Sequence, residues 1–443
     1  MLEQLLERAN QAIELARTAG ANDAAASASR SRKVEFRYRD GALEKVSEST
    51  SRSLSLSIYA DGRYSTHTTT DLRTDRLQTF VDDAVKLTAA LQPDPHRRLP
   101  DPALYAGRSD VDLELVDPKV QAITREQREA WCATMDARIR EDKQVISATG
   151  YVSDTHGMSA RATSNGFSGT QETTSAWLGA EATFQDEGER RPESWDWRGG
   201  RHIDALPDPD ALAQNVLRLG RERLGSQKGP TRKSVMIVDP RAAGRLVSAL
   251  LRPAHGRSVQ QGRSWLAGQT GKKLFGEVLT LTDDPLIPRG LASRLYDGEG
   301  LAAKSMPIVE NGVLKNIYVD TYYGRKAELP PTTGGRSNLI FGSGDRAGGD
   351  QDLAAILAAA DDAVYVTSWL GGNSDDNTGD FSFGMRGHVV TGGKVGGPVG
   401  EMNVTGSLGD LFSRLIAVGN DPYVYSSLRA PTLVFEGVQF SGA

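Results

Sequence analysis

Imidazole, thiolate and carboxylate groups are the side chains in this sequence that could bind a metal ion. The six histidines, at positions 67, 96, 156, 202, 255 and 388, include no pair spaced to lie on one helix face. The acidic stretch SDDNTGD offers oxygen ligands, but an EF-hand register from Asp375 puts Gly379 fifth and Arg386 twelfth, where a bidentate glutamate is needed. We therefore interpret these acids as a solvated turn and predict that this chain holds no metal.

Motifs for phosphate binding and nucleophilic catalysis are also incomplete. Gly271-Lys272 is followed by Lys273 instead of Ser or Thr, and Leu266 stands where the first glycine of a phosphate loop belongs. No G-x-S-x-G elbow is present. The one cysteine, Cys132, lies in a charged helical pattern, where we predict a packed, inert thiol. The sequence thus predicts no catalytic residue.

One strand and helix are especially well defined by their sequence. A β-branched and apolar run over residues 234–238 predicts a strand, and Asp239-Pro240 then supplies an N-cap with proline at the first helical position. The residues after it recur at helical spacing, namely Leu246, Val247, Leu250 and Leu251. The sequence from Pro253 to Gly256 closes this predicted helix.

Length and composition describe an ordinary globular chain. The 443 residues suffice for two or three domains, and 38% hydrophobic with 25% charged residues is typical of such proteins. A net charge of −5 argues against a broad nucleic-acid-binding face. No signal peptide or membrane-spanning run is evident, and a single cysteine suits a reducing compartment. We therefore expect a cytoplasmic protein.

The first half predicts helices around antiparallel strands. An amphipathic helix ends at Gly20, and strand patterns follow at 34–39, 53–59 and 63–70, with turns at Asp-Gly pairs. Asp71 is predicted to cap the next helix. Further along, we predict helices over 122–142 and 207–224, with antiparallel strands between them.

The second half predicts more strands than helices. Residues 278–282 form a strand pattern, and Asn311-Gly312 is a two-residue hairpin signal. A helix is expected over 351–361 and another from Ser407 to Val418. Between them, the glycines at 371–400 are expected to separate short strands.

Together these patterns predict an α+β protein of two domains. The stretch GSQKGPTRK is the best boundary, so we place an N-terminal helix–antiparallel meander–helix domain at 1–230 and a β-rich domain around a central helix at 231–443.

Two features could contact a partner or a substrate. Trp195 and Trp197 alternate with polar residues, so both could face one side of a strand, either at the edge of the core or as an exposed partner contact. The glycines at 371–400 are turn formers first, although backbone exposed by such turns could also hold an extended peptide by strand addition.

The chain resembles the TldD/PmbA family, two-component bacterial peptidases once described as modulators of DNA gyrase. The resemblance spans nearly the whole chain, from the opening helix–meander–helix order and DGALEKV to the more specific C-terminal blocks. Those blocks are PRGL, YDGEG, the ENG hairpin turn, DTYYGRK, TGDFSFG, GGKVGGPV, VTGSLGDLF and VGNDP.

In active TldD-type members, the equivalent helix carries a His-Glu-x-x-x-His motif, and a cysteine near the C-terminus supplies a third zinc ligand. Here the corresponding positions are Ser248, Ala249 and Pro253, and the segment YVYSSLRAPTLVFEGV contains no cysteine. The helix keeps the scaffold and lacks the ligands, as in the TldE (PmbA) type.

The resemblance implies a TldE-type subunit that pairs with a zinc-bearing TldD-type subunit, which together would cleave small or unfolded peptides. This chain would supply cavity wall and interface and no cofactor. The wall residues implied by the family-like block are Asn373, Asp375, Asn377, Thr378, Asp380 and Phe381.

Two other hypotheses remain open. The chain could be a stand-alone homodimeric peptide-binding protein, which would show a self-complementary interface. It could also be a hydrolase with an unrecognised site, in which case stoichiometric zinc should accompany activity. Nothing in the sequence supports direct DNA binding.

Overall fold

A computed structural model describes residues 1–342 and 349–442 of the chain. Its first half alternates helices with long strands. In order they are α1 (Leu2–Thr18), β1 (Asp23–Arg39), β2 (Ala42–Ala60), β3 (Arg63–Thr69), α2 (Thr74–Ala89), α3 (Pro118–Gln121), α4 (Arg125–Arg140), β4 (Val145–Thr163), β5 (Ser168–Phe184), β6 (Glu193–Gly200) and α5 (Pro209–Arg221).

The strands of this half form one antiparallel sheet in the order β3-β2-β1-β4-β5-β6. Side chains of a strand alternate between faces, and on one face of β1 the residues at its two ends are apolar and buried, with two half-buried arginines between them. The apolar residues are Ala24, Ala26, Ala28, Val34 and Phe36, and the arginines are Arg30 and Arg32. Helices α1 and α2 cover one end of that face, and α4 and α5 cover the other. The predicted helix–meander–helix order is confirmed.

The start of α2 differs from the prediction. Its N-cap is Arg73, and no side chain caps it. The carboxylate of Asp71 instead accepts hydrogen bonds from the backbone and guanidinium of Arg73. The predicted cap is therefore wrong, because a neighbouring cation competes for the carboxylate that would have capped the helix.

The second half contains shorter elements. In order they are β7 (Gln227–Lys228), β8 (Arg232–Val238), α6 (Pro240–Leu251), α7 (Gly256–Gln260), β9 (Leu281–Asp284), β10 (Met306–Glu310), β11 (Val313–Leu314), α8 (Thr321–Ala327), β12 (Asn338–Phe341), α9 (Leu353–Ala359), β13 (Asp362–Ser374), β14 (Asp380–Thr391), β15 (Lys394–Ser407), α10 (Leu408–Ser413), β16 (Leu415–Val418), β17 (Leu428–Arg429) and β18 (Leu433–Ser441).

These strands form two sheets that pack around α6. One has the order β16-β18-β8-β13-β14-β15-β7 and the other β11-β10-β9-β12-β17. Buried residues of α6, such as Leu246 and Leu250, share one core with both sheets. The α+β class and the central helix are as predicted. Not all strands are antiparallel, because β8 pairs with β13 in parallel, and so do the shorter pairs β12–β17 and β15–β7.

Three predicted elements of this half shift. The strand expected at 278–282 begins later, at Leu281, because Leu279 donates to Gly276 in a turn. The helix expected from Ser407 to Val418 ends at Ser413, since the following residues pair with β18. The glycines after 371 produce long strands with bulges instead of short separate ones.

Polar contacts join the two halves of the chain. The Tyr322 hydroxyl donates to Asp94 at 2.8 Å, and Arg289 forms ion pairs with Glu114 at 2.7 Å and Asp204 at 3.0 Å. Among the residues described, no helix is long and apolar enough to cross a membrane.

Candidate functional site

Helix α6 is fixed at its start by a buried polar cluster. The Asp239 carboxylate accepts from the backbone and side chain of Arg241, each at 2.9 Å, and from the Tyr365 hydroxyl. Burial by itself would raise the pKa of Asp239, but the hydrogen bonds and charge of Arg241 outweigh it and hold that pKa below its usual value. An ionised carboxylate at the N-terminus also stabilises the helix dipole. The start of α6 is thus held both by Arg241, next to it in sequence, and by Tyr365 of β13, 126 positions away.

The face of α6 that points away from the core lines a cleft of about 640 Å³. Arg245, Ser248, Ala249 and Arg252 line it, and their spacing of three and four residues places them on one helix face. The far wall is the end of β13, with Gly372, Asn373 and Ser374.

The structure places two of the three degenerate metal-site positions in this cleft. Ser248 is half-buried, and Ala249 is buried but contributes to the lining. Pro253 is buried outside the lining, and its carbonyl accepts from the Ser264 hydroxyl at 2.7 Å.

The residues of the cleft do not fit zinc. Ser248 offers a neutral hydroxyl that accepts from Arg336 Nη1 at 3.3 Å, Ala249 offers a methyl group, and Pro253 has no donor side chain. The guanidinium groups of Arg245 and Arg252 line the same space. Zinc needs imidazole, thiolate or carboxylate ligands, and fixed positive charge repels it. Within residues 1–342 and 349–442, no group of three or more His, Cys, Asp or Glu side chains is arranged to hold a metal.

The predicted wall residues lie mostly in an adjoining groove of about 1020 Å³. Asp375, Asn377, Asp380 and Phe381 line this groove, and Asn373 lines both spaces, so groove and cleft are continuous. Thr378 is not part of either lining. Its hydroxyl accepts from the Asp380 backbone at 3.1 Å.

The Asp375 carboxylate closes a turn. It accepts from the backbone N–H of Asn377 at 2.7 Å, and this hydrogen bond is the main reason that the pKa of Asp375 is lowered. The carboxylate of Asp376 pairs with Arg252 at 2.6 Å and so ties the turn to α6. The turn that the acidic stretch predicts is therefore present.

Two arginines donate hydrogen bonds to backbone carbonyls at the end of β13. Arg245 donates to the carbonyls of Gly371 and Gly372, and its guanidinium lies 4.4 Å from the centre of the Phe383 ring. Arg252 donates to the Ser374 carbonyl at 2.8 Å. An extended peptide could add to this part of β13 only by displacing these side chains.

His255 forms part of the cleft beside the end of α6. Its ring stacks on Tyr318 with centres 5.1 Å apart. Burial lowers the pKa of His255, and Arg336 lowers it further, whereas Asp320 and Asp376 act in the opposite direction. Together these surroundings favour the neutral imidazole.

Sequence reasoning missed four residues of the cleft: Arg245, Arg252, His255 and Arg336. The helical spacing of Arg245 and Arg252 about Ser248 could have revealed the first two. Arg336 comes from a distant segment, and only the fold brings it to Ser248.

The class of this protein follows from its similarity to a family of metallopeptidases. Profiles of the PmbA/TldA metallopeptidase match residues 24–88 (domain 1), 118–224 (central domain) and 231–442 (C-terminal domain). The chain belongs to the TldD/PmbA family, as its motifs predict.

Individual relatives extend over nearly the full length. Metalloprotease PmbA of Escherichia coli O157:H7 is 26% identical, covering 99% of this chain and 96% of the relative. The crystal structure of a candidate modulator of DNA gyrase from Bacteroides thetaiotaomicron is 33% identical with a TM-score of 0.95, covering 99% and 98% of the two chains. TldE from Thermococcus kodakarensis has a TM-score of 0.86 at 19% identity, covering 98% of this chain and 100% of TldE, which shows a shared fold.

Proposed function

We propose that this chain is a PmbA/TldE-type subunit without a metal centre of its own. It pairs with a zinc-bearing TldD-type subunit, and the pair degrades small or unfolded peptides. The partner supplies the chemistry, and this chain supplies cavity wall and interface.

One observation carries this proposal. The helix that bears the zinc motif in TldD-type chains presents a hydroxyl, a methyl group and two arginines here, with a third arginine donating to the hydroxyl. Guanidinium groups stay protonated in proteins and cannot act as metal ligands or as general bases. Family membership supports a role in peptide hydrolysis, and the chemistry of the cleft supports leaving the hydrolytic step to another subunit.

The continuous cleft and groove support a wall for peptides. Peptides bind where backbone and polar side chains present donors and acceptors along an extended path. Asn373, Asp375 and Asp380 along one side, with Phe381 among them, provide such groups.

Reconstitution tests the proposal. A TldD-type protein from the same organism is purified, and each chain alone and the mixture are assayed for zinc content and for cleavage of an unstructured peptide. We expect zinc only in the partner, a 1:1 complex by light scattering, and cleavage that requires both chains. A partner variant with the Glu of its His-Glu-x-x-x-His motif changed to Gln should still form the complex without cleaving.

Other results would contradict the proposal in different ways. Full activity of the partner alone would remove the need for this chain. A stable self-dimer that ignores the partner would favour a homodimeric peptide-binding protein. Stoichiometric zinc in this chain, lost together with activity on chelation, would favour an independent hydrolase.

A further inference from the structure

We propose that the arginine cleft beside α6 binds the C-terminal carboxylate of a peptide. The cleft is defined by Arg245, Ser248, Arg252 and Arg336, with Phe383 beneath Arg245. This inference rests on the proposed role in peptide handling and names the part of the peptide that this chain holds.

The three guanidinium groups retain donors for a ligand. Arg245 uses Nη2 on two carbonyls, Arg252 uses Nε and Nη2 on Asp376 and Ser374, and Arg336 uses Nη1 on Ser248. A guanidinium carries five N–H donors, so each group keeps several. In the part of the chain that the structure describes, neither Arg245 nor Arg336 has a carboxylate within 4 Å.

The existing contacts also hold the arginines in place. Arg245 is fixed by the glycine carbonyls of the β13 bulge and by the Phe383 ring, and Arg252 by the Asp376 ion pair at 2.6 Å. Side chains held in this way lose less conformational entropy when a ligand binds. A planar carboxylate matches the fork of a guanidinium with two parallel hydrogen bonds.

The cleft and the groove differ in charge. The lining of the cleft contains Arg245, Arg252 and Arg336 and no Asp or Glu. The adjoining groove contains Asp375, Asp376 and Asp380 together with Arg252, Arg257 and Arg263, so its formal charges balance. A carboxylate therefore fits the cleft better than the groove, and every short peptide with a free C-terminus carries one.

The neutral state of His255 is consistent with this role. The imidazole lies in the same lining as Arg336 and stacks on Tyr318. It can accept a hydrogen bond from a bound peptide without adding to the repulsion among the arginines.

Calorimetry with matched peptides tests the proposal on the full chain. Tetra-alanine with a free carboxylate is compared with tetra-alanine amide and with Ala-Asp-Ala-Ala amide, whose only carboxylate is on a side chain. We expect the free acid to bind about tenfold to hundredfold more tightly than either amide, as for loss of a charge-assisted hydrogen-bonded pair. Raising the salt concentration should reduce this ratio of acid to amide affinity, because salt screens interactions between charges.

Variants locate the effect. Arg245→Gln and Arg336→Gln should each reduce the acid-to-amide ratio toward one, and Arg336→Lys should retain part of it, because a lysine keeps the charge and loses the fork. Arg17→Gln, on the exposed side of α1, is the matched control and should keep the full ratio. Thermal unfolding of each variant confirms that the chain is folded.

Several outcomes would overturn the assignment. Equal affinity for the free acid and tetra-alanine amide, or tight binding of the Asp-containing amide, would exclude a site for the terminal carboxylate. An unchanged ratio in the Arg245→Gln and Arg336→Gln variants would place the carboxylate elsewhere. Light scattering with the TldD-type partner is measured in parallel, so an intact complex without carboxylate preference refutes this inference alone, and a missing complex refutes the proposed function.

Discussion

Arg128 and Asp154 form a buried ion pair in the first half of the chain. The two side chains are only 5% and 4% exposed, and they form two parallel hydrogen bonds of 2.6 and 3.0 Å. Arg128 also donates to the Ile123 carbonyl at 2.6 Å. The pair therefore joins α4 to β4 with most of its charge shielded from water.

Removing one partner of this pair should be costly. Arg128→Met leaves the buried Asp154 carboxylate with Arg32, at 4.0 Å, as its remaining counterion, and we expect a loss of about 3 kcal/mol in the free energy of unfolding, measured with urea. The control is Glu277→Gln in the Lys273–Glu277 pair, whose side chains are 59% and 78% exposed; it should cost about 1 kcal/mol or less. Similar losses for both variants would contradict this account.

The pH dependence of stability should contain a component from His255. Its pKa in the folded chain lies below the ordinary 6.5, chiefly because of burial and Arg336. As pH falls below 6.5, the unfolded chain takes up the proton first, so stability present above that pH is lost as pH falls through the folded-state pKa. The slope from one proton is at most about 1.4 kcal/mol per pH unit.

The variant His255→Phe tests this component. Phenylalanine keeps an aromatic ring against Tyr318 but cannot be protonated. The difference in unfolding free energy between wild type and variant should be constant above pH 6.5 and shift in favour of the variant below it. If the unfolding free energies of wild type and variant change in parallel from pH 8 to pH 5, the histidine has the same pKa in the folded and the unfolded chain.

Local chemistry made some residues predictable and hid others. Cys132 is fully buried, so the predicted packing of the thiol is confirmed; burial raises the pKa of the thiol to about 12, and its inertness stays a prediction. The charged helical pattern around it indicated an amphipathic helix, on which a cysteine can pack against the core. Arg336 could not be assigned to the cleft, since its neighbour Ser248 is 88 positions away in sequence.

At the scale of elements, the contact between α4 and β4 depends on a missing side chain. A Cβ atom at Gly150 would overlap the carbonyl oxygen of Cys132, a backbone atom that cannot rotate away. The helix therefore approaches the sheet more closely there than any larger residue would permit.

Gly150→Ala should push the helix away from the sheet. We expect a loss of about 1–3 kcal/mol in the free energy of unfolding, the usual cost of overpacking. Gly298→Ala is the control, because a Cβ there has nothing within 4 Å, and it should change stability by about 0.5 kcal/mol or less. A Gly150→Ala variant as stable as the wild type would mean that α4 can move away from the sheet without loss of stability.

Turns were the most predictable elements, because they depend on adjacent residues. Asp40-Gly41, Asp61-Gly62 and Asn311-Gly312 all form the expected turns, with positive φ at both residues of each pair. Helix α10 was predicted too long, since Leu415–Val418 pairs with β18, a strand formed later in the chain. Such pairing overrides local helix propensity.

For the whole molecule, the order of helix and strand patterns along the sequence predicted the α+β class. It did not predict which strands lie next to each other in the sheets. The parallel pairing of β8 with β13 joins segments more than 120 residues apart. The division into 1–230 and 231–443 stays a prediction. The strand β7 lies just before that boundary yet pairs with β15 of the second half.

The two tryptophans of β6 differ in surroundings although both occupy odd positions of one strand. The Trp197 ring packs 5.2 Å from the Tyr151 ring and over Gly179, where a Cβ would overlap it. Trp195 is 60% exposed. Trp197 is half-buried, which suits the interpretation as an edge of the core, and the partner-contact interpretation suits Trp195.

Trp195 is accordingly expected to contribute to the interface with a TldD-type subunit. Exposed tryptophans that become buried on association often dominate the binding energy. Trp195→Ala should weaken the complex about tenfold or more, measured by titration with the partner, and should change the free energy of unfolding by about 0.5 kcal/mol or less. Leu87→Ala, on α2 and also 60% exposed, is the matched control and should leave the affinity unchanged. Equal affinity of wild type and Trp195→Ala would place the interface on another surface, since an aromatic side chain of this size cannot be buried between two subunits without affecting their association.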